Sequence, residues 1–301
     1  MNHVIYSTEK SLVLAKKIAH NLNCGHYTIE RQKFADGEIN VKFNESIRGK
    51  SLIIVAQIEM PYENLFELLL TLDAARRCSA REIILVIPYL PHSRQERRGD
   101  LRSPISARLL ADLLQNAGAN RIISMDLHVS AIEGFYSIPF DKLSPFDVFV
   151  NKIKSMNIEN PCLVSPDFGF LKKMELYHRE LNIPLHVIDK KREVANQVKE
   201  MTLIGDVKGK NVIMIDDIID TASTLVKASD LLLDYGATSV SVFATHGVLS
   251  NNAEDRLYNS RISKVYITNT IYKGIPYDDG RISTIDVSTV FSKAIEKIQQ
   301  E

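Results

Sequence analysis

The stretch from Val212 to Thr224, VIMIDDIIDTAST, combines an apolar run, the adjacent carboxylates Asp216 and Asp217, and a hydroxyl-rich segment that reads as a helix start. Unpaired backbone amides after Asp220, with Ala222 in the turn and the hydroxyls of Thr221, Ser223 and Thr224 around it, can cradle a phosphomonoester through the helix dipole and direct hydrogen bonds. The plainer alternative makes Asp220 an ordinary N-cap. Neighbouring residues on an extended strand face opposite ways, so Asp216 and Asp217 both enter a site only if the strand has ended before them.

Other apolar runs end in the same kind of residue: ISMDLH carries Asp126 and His128, LVSPD carries Asp167, and HVIDKKR carries Lys190 and Arg192. In a doubly wound sheet, ligands bind beyond the carboxyl ends of the strands, so these side chains would converge on one rim. Taken singly, each is as well explained by a strand running out into solvent. The recurrence of Asp, His, Lys and Arg favours a site. HSRQERRGDLR, residues 92 to 102, holds four arginines and reads as a flap; guanidinium forks suit phosphate oxygens. YTIERQKFADGEINVKF reads as a hairpin turning at Asp36 and Gly37, with no chemistry evident from its residues alone.

The elements that must position these groups follow from the apolar pattern. Val- and Ile-rich runs at 52–56, 83–87, 121–125, 162–165, 185–188, 211–215, 240–244 and 264–268 predict buried parallel strands. Helical periods at 65–78, 104–117 and 221–235 predict crossover helices, with Ser103 as cap, Pro104 in the first turn and Gly118 as stop for the second. At about 150 residues per domain, 301 residues predict two domains. Ile138 to Phe146, with two prolines, predicts a boundary near 143: a first domain over 1–143 and a second over 144–301.

Composition narrows the functional classes. Lys plus Arg equals Asp plus Glu at 37 each, so no global positive field favours nucleic acid. Three scattered cysteines suggest neither disulfides nor zinc, and the sequence offers no apolar run of about 18 residues for a membrane span, which together predict a cytoplasmic protein.

VIMIDDIIDTAST resembles the phosphoribosyl-pyrophosphate motif of type I phosphoribosyltransferases and ribose-phosphate pyrophosphokinases. FADGE (34–38), IPYLPHSRQERR (87–98), SMDLH (124–128), VSPDFG (164–169) and DKKR (189–192) resemble the second group in order and spacing, over nearly the whole chain. The resemblance implies an α/β fold of two similar doubly wound domains of the type I phosphoribosyltransferase-like kind, each around a mostly parallel sheet. It implies transfer of the diphosphoryl group of MgATP to the anomeric hydroxyl of ribose 5-phosphate, giving phosphoribosyl pyrophosphate and AMP for nucleotide biosynthesis.

By the same resemblance, His128 and Asp167 help to hold Mg2+, and Lys190 and Arg192 are the catalytic pair on a mobile loop. Asp216 and Asp217 take the ribose hydroxyls, directly or through a second cation, and 220–224 take the 5-phosphate. ATP falls to Phe34, Asp36, Glu38, Arg94 and Gln95, in a pocket completed by another subunit of a homo-oligomer, commonly a hexamer built from dimers.

Two positions depart from the family pattern. Ser223 stands where members usually have Gly, and a left-handed backbone there would cost about 1–2 kcal/mol. Phe170 stands in place of a small residue and would crowd an anion-binding backbone. Arg48 and Arg102 match positions for regulatory anions, although the tail lining that site in allosteric members has no counterpart before Glu301. The alternatives are a catalytically silent homologue that assembles with an active enzyme and, further off, a phosphoribosyltransferase.

Overall fold

The computed structural model describes residues 3–59, 62–194, 197–274 and 277–300, with the side chains of 191–200 and 299 outside the description. The chain divides into two compact units, one of Met1–Ser144, Thr270–Tyr272 and Val287–Glu301, the other of Pro145–Asn269 and Lys273–Asp286. A single cut near 143 therefore does not describe the division, because the last fifteen residues belong with the first unit.

The first unit is built on a six-stranded parallel sheet. It contains β1 (His3–Ser7), β2 (His26–Thr28), β5 (Ser51–Val55), β6 (Glu82–Ile87), β7 (Arg121–Met125) and β8 (Phe140–Leu143), in the order β2-β1-β5-β6-β7-β8. A separate antiparallel hairpin pairs β3 (Glu30–Lys33) with β4 (Ile39–Lys42). Alternate residues of β5 face opposite layers. Leu52 and Ile54 enter a core with Leu68 and Leu72 of α2 (Glu63–Arg77) and Leu110 and Leu114 of α3 (Ser106–Ala117), as period-2 geometry requires of a strand covered on both faces. The first unit also contains α1 (Leu12–Asn21), which packs with α8 (Ser288–Gln300); Asn21 Nδ2 donates to Ser288 Oγ at 3.3 Å.

The proline-containing stretch 138–146, expected to hold the domain boundary, also contributes β8 at the sheet edge, paired in parallel with β7. The cap expected at Ser103 is also absent. Ser103 Oγ instead closes a turn on Asp100, accepting from its N–H at 3.0 Å, and α3 begins after Ile105. Gly118 does end α3, at φ +134°.

The second unit holds a seven-stranded sheet of order β11-β10-β9-β12-β13-β14-β15, parallel except for the β10/β11 pair. Its strands are β9 (Pro161–Ser165), β10 (Leu185–Val194), β11 (Gln197–Ile204), β12 (Asn211–Ile219), β13 (Ser239–Gly247), β14 (Lys264–Thr268) and β15 (Ile282–Ile285). Alternation again divides the core: Val212 and Met214 face Leu225 and Leu232 of α6 (Ser223–Asp234) and Leu257 of α7 (Ala253–Tyr258). Ile213 and Ile215 face Phe149 of α4 (Phe146–Ser155) and Met174 of α5 (Leu171–Leu181). From β9 the chain moves outward to β10, whereas from β12 it moves the other way to β13, so the strand order reverses between β9 and β12. A crevice opens at such a reversal beyond the carboxyl ends of the strands. None of the described helices is long and apolar enough to cross a membrane.

Candidate functional site

Three adjacent strands of the second unit bring charged side chains to that reversal. Asp167 follows β9, Lys190 lies on β10 beyond its last pairing with β9, and Asp216 and Asp217 lie on β12. Lys190 Nζ stands 3.7 Å from Asp167 Oδ2, the lysine side chain 8% exposed and that of Asp167 40%. Asp167 is oriented by its own turn: its Oδ1 accepts from the Phe170 N–H at 3.0 Å and its carbonyl from Ser165 Oγ at 2.7 Å. The lysine charge also reaches Asp216.

β12 does not end before the acidic pair, contrary to the condition set by strand alternation; it continues to Ile219, with Asp216 paired to Ala244 and Ile218 to His246. The two aspartates still act on each other. The Asp217 N–H donates to Asp216 Oδ1 at 2.9 Å. Burial, and then the charge and side-chain hydrogen bond of Asp217, push the Asp216 carboxyl well above the ordinary carboxylate range, with Lys190 opposing.

Lys190 and Arg192 were expected on a loop, but both belong to β10, which forms an antiparallel hairpin with β11. Lys190 pairs with Met201, and the register slips on either side of Arg192. The Arg192 side chain lies outside the described residues. Such bulges recur beside active sites, where they re-aim a side chain.

The turn after β12 has three consecutive carbonyls tied to the segment after β13. Leu249 N–H donates to Ile219 O and Ser250 N–H to Asp220 O, each at 3.0 Å, while Arg256 Nη1 donates to Thr221 O. Ser250 Oγ also donates to Asp220 Oδ1. Ala222, the N-cap of α6, has φ +61°, and no side chain caps this helix. Ser223 is already the first helical residue and carries no left-handed strain; the left-handed position is Ala222, one residue earlier. Phe170 packs against the core of Phe149 and Met174 beside α5, with Lys173 Nζ 5.0 Å from its ring centroid, which draws it into the apolar layer. Ser250 and Arg256 were not among the residues singled out from the sequence; at 30 and 35 residues from their partners, no local spacing signals them.

The remaining groups lie in the first unit. The hairpin turns at Asp36 and Gly37 as expected, with Glu38 N–H donating to Asp36 Oδ1 at 3.0 Å and Phe34 N–H to Glu38 O at 2.8 Å. This leaves the Phe34 ring 45% exposed. Arg31 holds the hairpin to α2, 3.0 Å from Glu67 Oε2. Residues 92–102 form turns and bends without helix or strand, as a flap should. Within them Arg94 and Gln95 are exposed, Gln95 Oε1 accepting from Ser106 Oγ at 2.7 Å. The His92 ring stacks on Tyr62 at 5.9 Å between centroids, and burial lowers its pKa. His128 is exposed after β7; Arg48 and Arg102 are exposed too.

Among the described residues, no three His, Cys, Asp or Glu side chains group as a metal-binding set. Asp167 supplies a partly exposed carboxylate. Hard cations such as Mg2+ take one or two protein carboxylates and fill the remaining positions with water and substrate phosphate oxygens, so this sparse donor set suits an ion that arrives with a polyphosphate.

Residues 3–118 match the family model described as the N-terminal domain of ribose phosphate pyrophosphokinase, and residues 165–301 match the phosphoribosyl synthetase-associated domain. The ribose-phosphate pyrophosphokinase of Porphyromonas gingivalis is 40% identical over 298 residues, covering 99% of this chain and 95% of that protein. That of Aquifex aeolicus is 44% identical over 271 residues, covering 89% and 86%. Among solved structures, phosphoribosylpyrophosphate synthetase from Mycobacterium smegmatis matches with a TM-score of 0.91 at 34% identity, covering 100% of this chain and 99% of that one. With likeness of this extent over nearly its whole length, the chain belongs to the ribose-phosphate pyrophosphokinase family.

Proposed function

We propose that this protein transfers the diphosphoryl group of ATP to the anomeric hydroxyl of ribose 5-phosphate, releasing AMP and 5-phosphoribosyl 1-pyrophosphate. The anomeric hydroxyl oxygen attacks the β-phosphorus and loses its proton to solvent, the bond from that phosphorus to the oxygen it shares with the α-phosphoryl group breaks, and AMP carries that oxygen away. The observation that carries the reading is the buried Lys190 side chain, held near Asp167 and Asp216 in the same unit as the left-handed turn at Ala222 and an uncapped helix start. Two polyanions must be brought together, so fixed positive charge and positioning supply most of the catalysis.

Residues 220–224 bind the 5-phosphate, and Asp216 and Asp217 orient the ribose hydroxyls. Lys190 and Arg192 stabilise charge on the transferred group. Phe34 stacks on adenine, Asp36 and Glu38 accept from the base, and Arg94 and Gln95 contact ATP. Asp167 and His128 hold Mg2+, which when bound neutralises phosphate oxygens. The protein works in the cytoplasm as a homo-oligomer, a hexamer built from dimers, with Arg48 and Arg102 available to a regulatory anion. AMP release from ATP and Mg2+, measured with and without ribose 5-phosphate, tests the activity: AMP appears only when the sugar is present, and pentose-independent or absent release overturns the assignment.

A further inference from the structure

The phosphate turn is flanked by contacts that no substrate makes. In a trans peptide the C=O and the following N–H point in opposite directions. The carbonyls of Ile219, Asp220 and Thr221 are all drawn toward 249–256, by Leu249 N–H, Ser250 N–H and the Arg256 guanidinium respectively. The N–H groups of Asp220, Thr221 and Ala222 therefore all point away from that segment. Along a regular strand, successive amides alternate; here three in a row share a direction and run into the first amides of α6, with Ala222 at φ +61° completing the bend. Consecutive amides turned the same way around such a residue form an anion-binding nest.

Its supporting segment is itself anchored. Tyr277 donates to Glu254 and Tyr258 to Asp279, and Arg281 donates to the carbonyls of Tyr258 and Ser260. α7 buries its own Ala253 and Leu257.

We propose that Arg256 and Ser250 are positioning residues for the sugar phosphate: they hold the carbonyl side of residues 219–221 so that the amide side is preset for the 5-phosphate, and Arg256 adds a positive charge behind the turn. This rests on reading residues 220–224 as the 5-phosphate loop. A purely structural Arg256 would affect both substrates alike or neither. A positioning Arg256 affects the sugar alone.

Titration calorimetry with ribose 5-phosphate on the full chain, run beside steady-state AMP release, separates these cases. Arg256→Ala weakens ribose 5-phosphate by about tenfold or more, the scale of a lost charge-assisted hydrogen bond. The KM for ATP stays within about twofold. Arg256→Lys lies between the two, and added guanidinium ion restores part of the loss in Arg256→Ala. Ser250→Ala gives a smaller loss in the same direction; with Arg256→Lys it carries the comparison if Arg256→Ala does not fold. Unchanged sugar binding in the folded variants, or equal weakening of sugar and ATP, overturns the proposal. A wild-type protein that binds ribose 5-phosphate in an Arg256-dependent way yet releases no AMP overturns the catalytic reading and leaves this one standing. Absence of sugar binding in the wild type overturns both.

Discussion

Lys190 Nζ and Asp167 Oδ2 lie 3.7 Å apart, joining a buried cation on β10 to a half-exposed carboxylate just past β9. That separation is too long for a close hydrogen bond, and it leaves the ammonium available to a phosphate oxygen while Asp167 keeps it from being an unpaired buried charge. Lysine acts here as a point charge whose backbone is fixed by strand pairing with Met201.

If Lys190 acts on the transition state, Lys190→Ala lowers kcat by about 100-fold or more, the scale of a lost electrostatic stabiliser, while ribose 5-phosphate affinity changes little. Comparable losses in kcat and in sugar affinity, measured by steady-state kinetics and direct titration, would contradict that role.

Phe34 is the exposed aromatic at the turn of a hairpin tied down by Arg31. Stacking of a base on such a ring contributes about 1–3 kcal/mol. Phe34→Ala therefore raises the KM for ATP roughly 5- to 100-fold with little effect on the sugar. An equal effect on both substrates, or none, removes the adenine assignment.

Asp216 gives the pH dependence. Its carboxyl titrates above the ordinary carboxylate range because desolvation and then the charge of the adjacent Asp217 disfavour its anion. The folded state thus binds this proton more tightly than the unfolded state. The associated stability is present at low pH and is lost as pH rises through the raised value. In ligand-free buffer without divalent ions, Asp216→Asn should melt a few degrees above wild type at neutral pH and no higher at pH below about 4, where both states are protonated. A constant difference across pH, followed by circular dichroism, would show that desolvated charge is not the cause.

Ala222 occupies a left-handed conformation that costs a non-glycine residue about 1 kcal/mol or more. Replacement by glycine also loosens the unfolded chain, offsetting roughly 0.4–1 kcal/mol. Ala222 is a core residue, so glycine also gives up a buried methyl of about 0.8 kcal/mol; Ala222→Gly should therefore leave Tm within about 2 °C of wild type with ribose 5-phosphate binding retained. A larger fall in Tm would mean that the surrounding contacts, rather than residue choice, set the backbone there.

The parallel strands were readable because a strand covered on both faces must be apolar throughout: Arg121–Met125 and Lys264–Thr268 fall at the expected positions. Where the chain is polar on one or both faces the signal fails. DKKREV continues β10 although its charges suggest a loop, and Phe140–Leu143 pairs at a sheet edge despite flanking prolines. The residue types of the site were legible as acidic and basic strand ends. Their grouping follows from the order β10-β9-β12, which depends on pairings distant in sequence. The family's glycine directs attention to Ser223, but the left-handed residue is Ala222; hydroxyl content marks the turn without fixing which peptide flips.

The helix α8 closes the first unit after the whole of the second has been traversed. During synthesis on the ribosome, the second unit can complete its sheet while the first still lacks the partner of α1. The buried face of α1, carrying Leu14 and Ile18, then waits for Phe291 and Ile295 to emerge. Loss of residues 287–300 would thus be felt first near the amino terminus, and nascent chains stalled short of that helix are the form of this protein most in need of a chaperone.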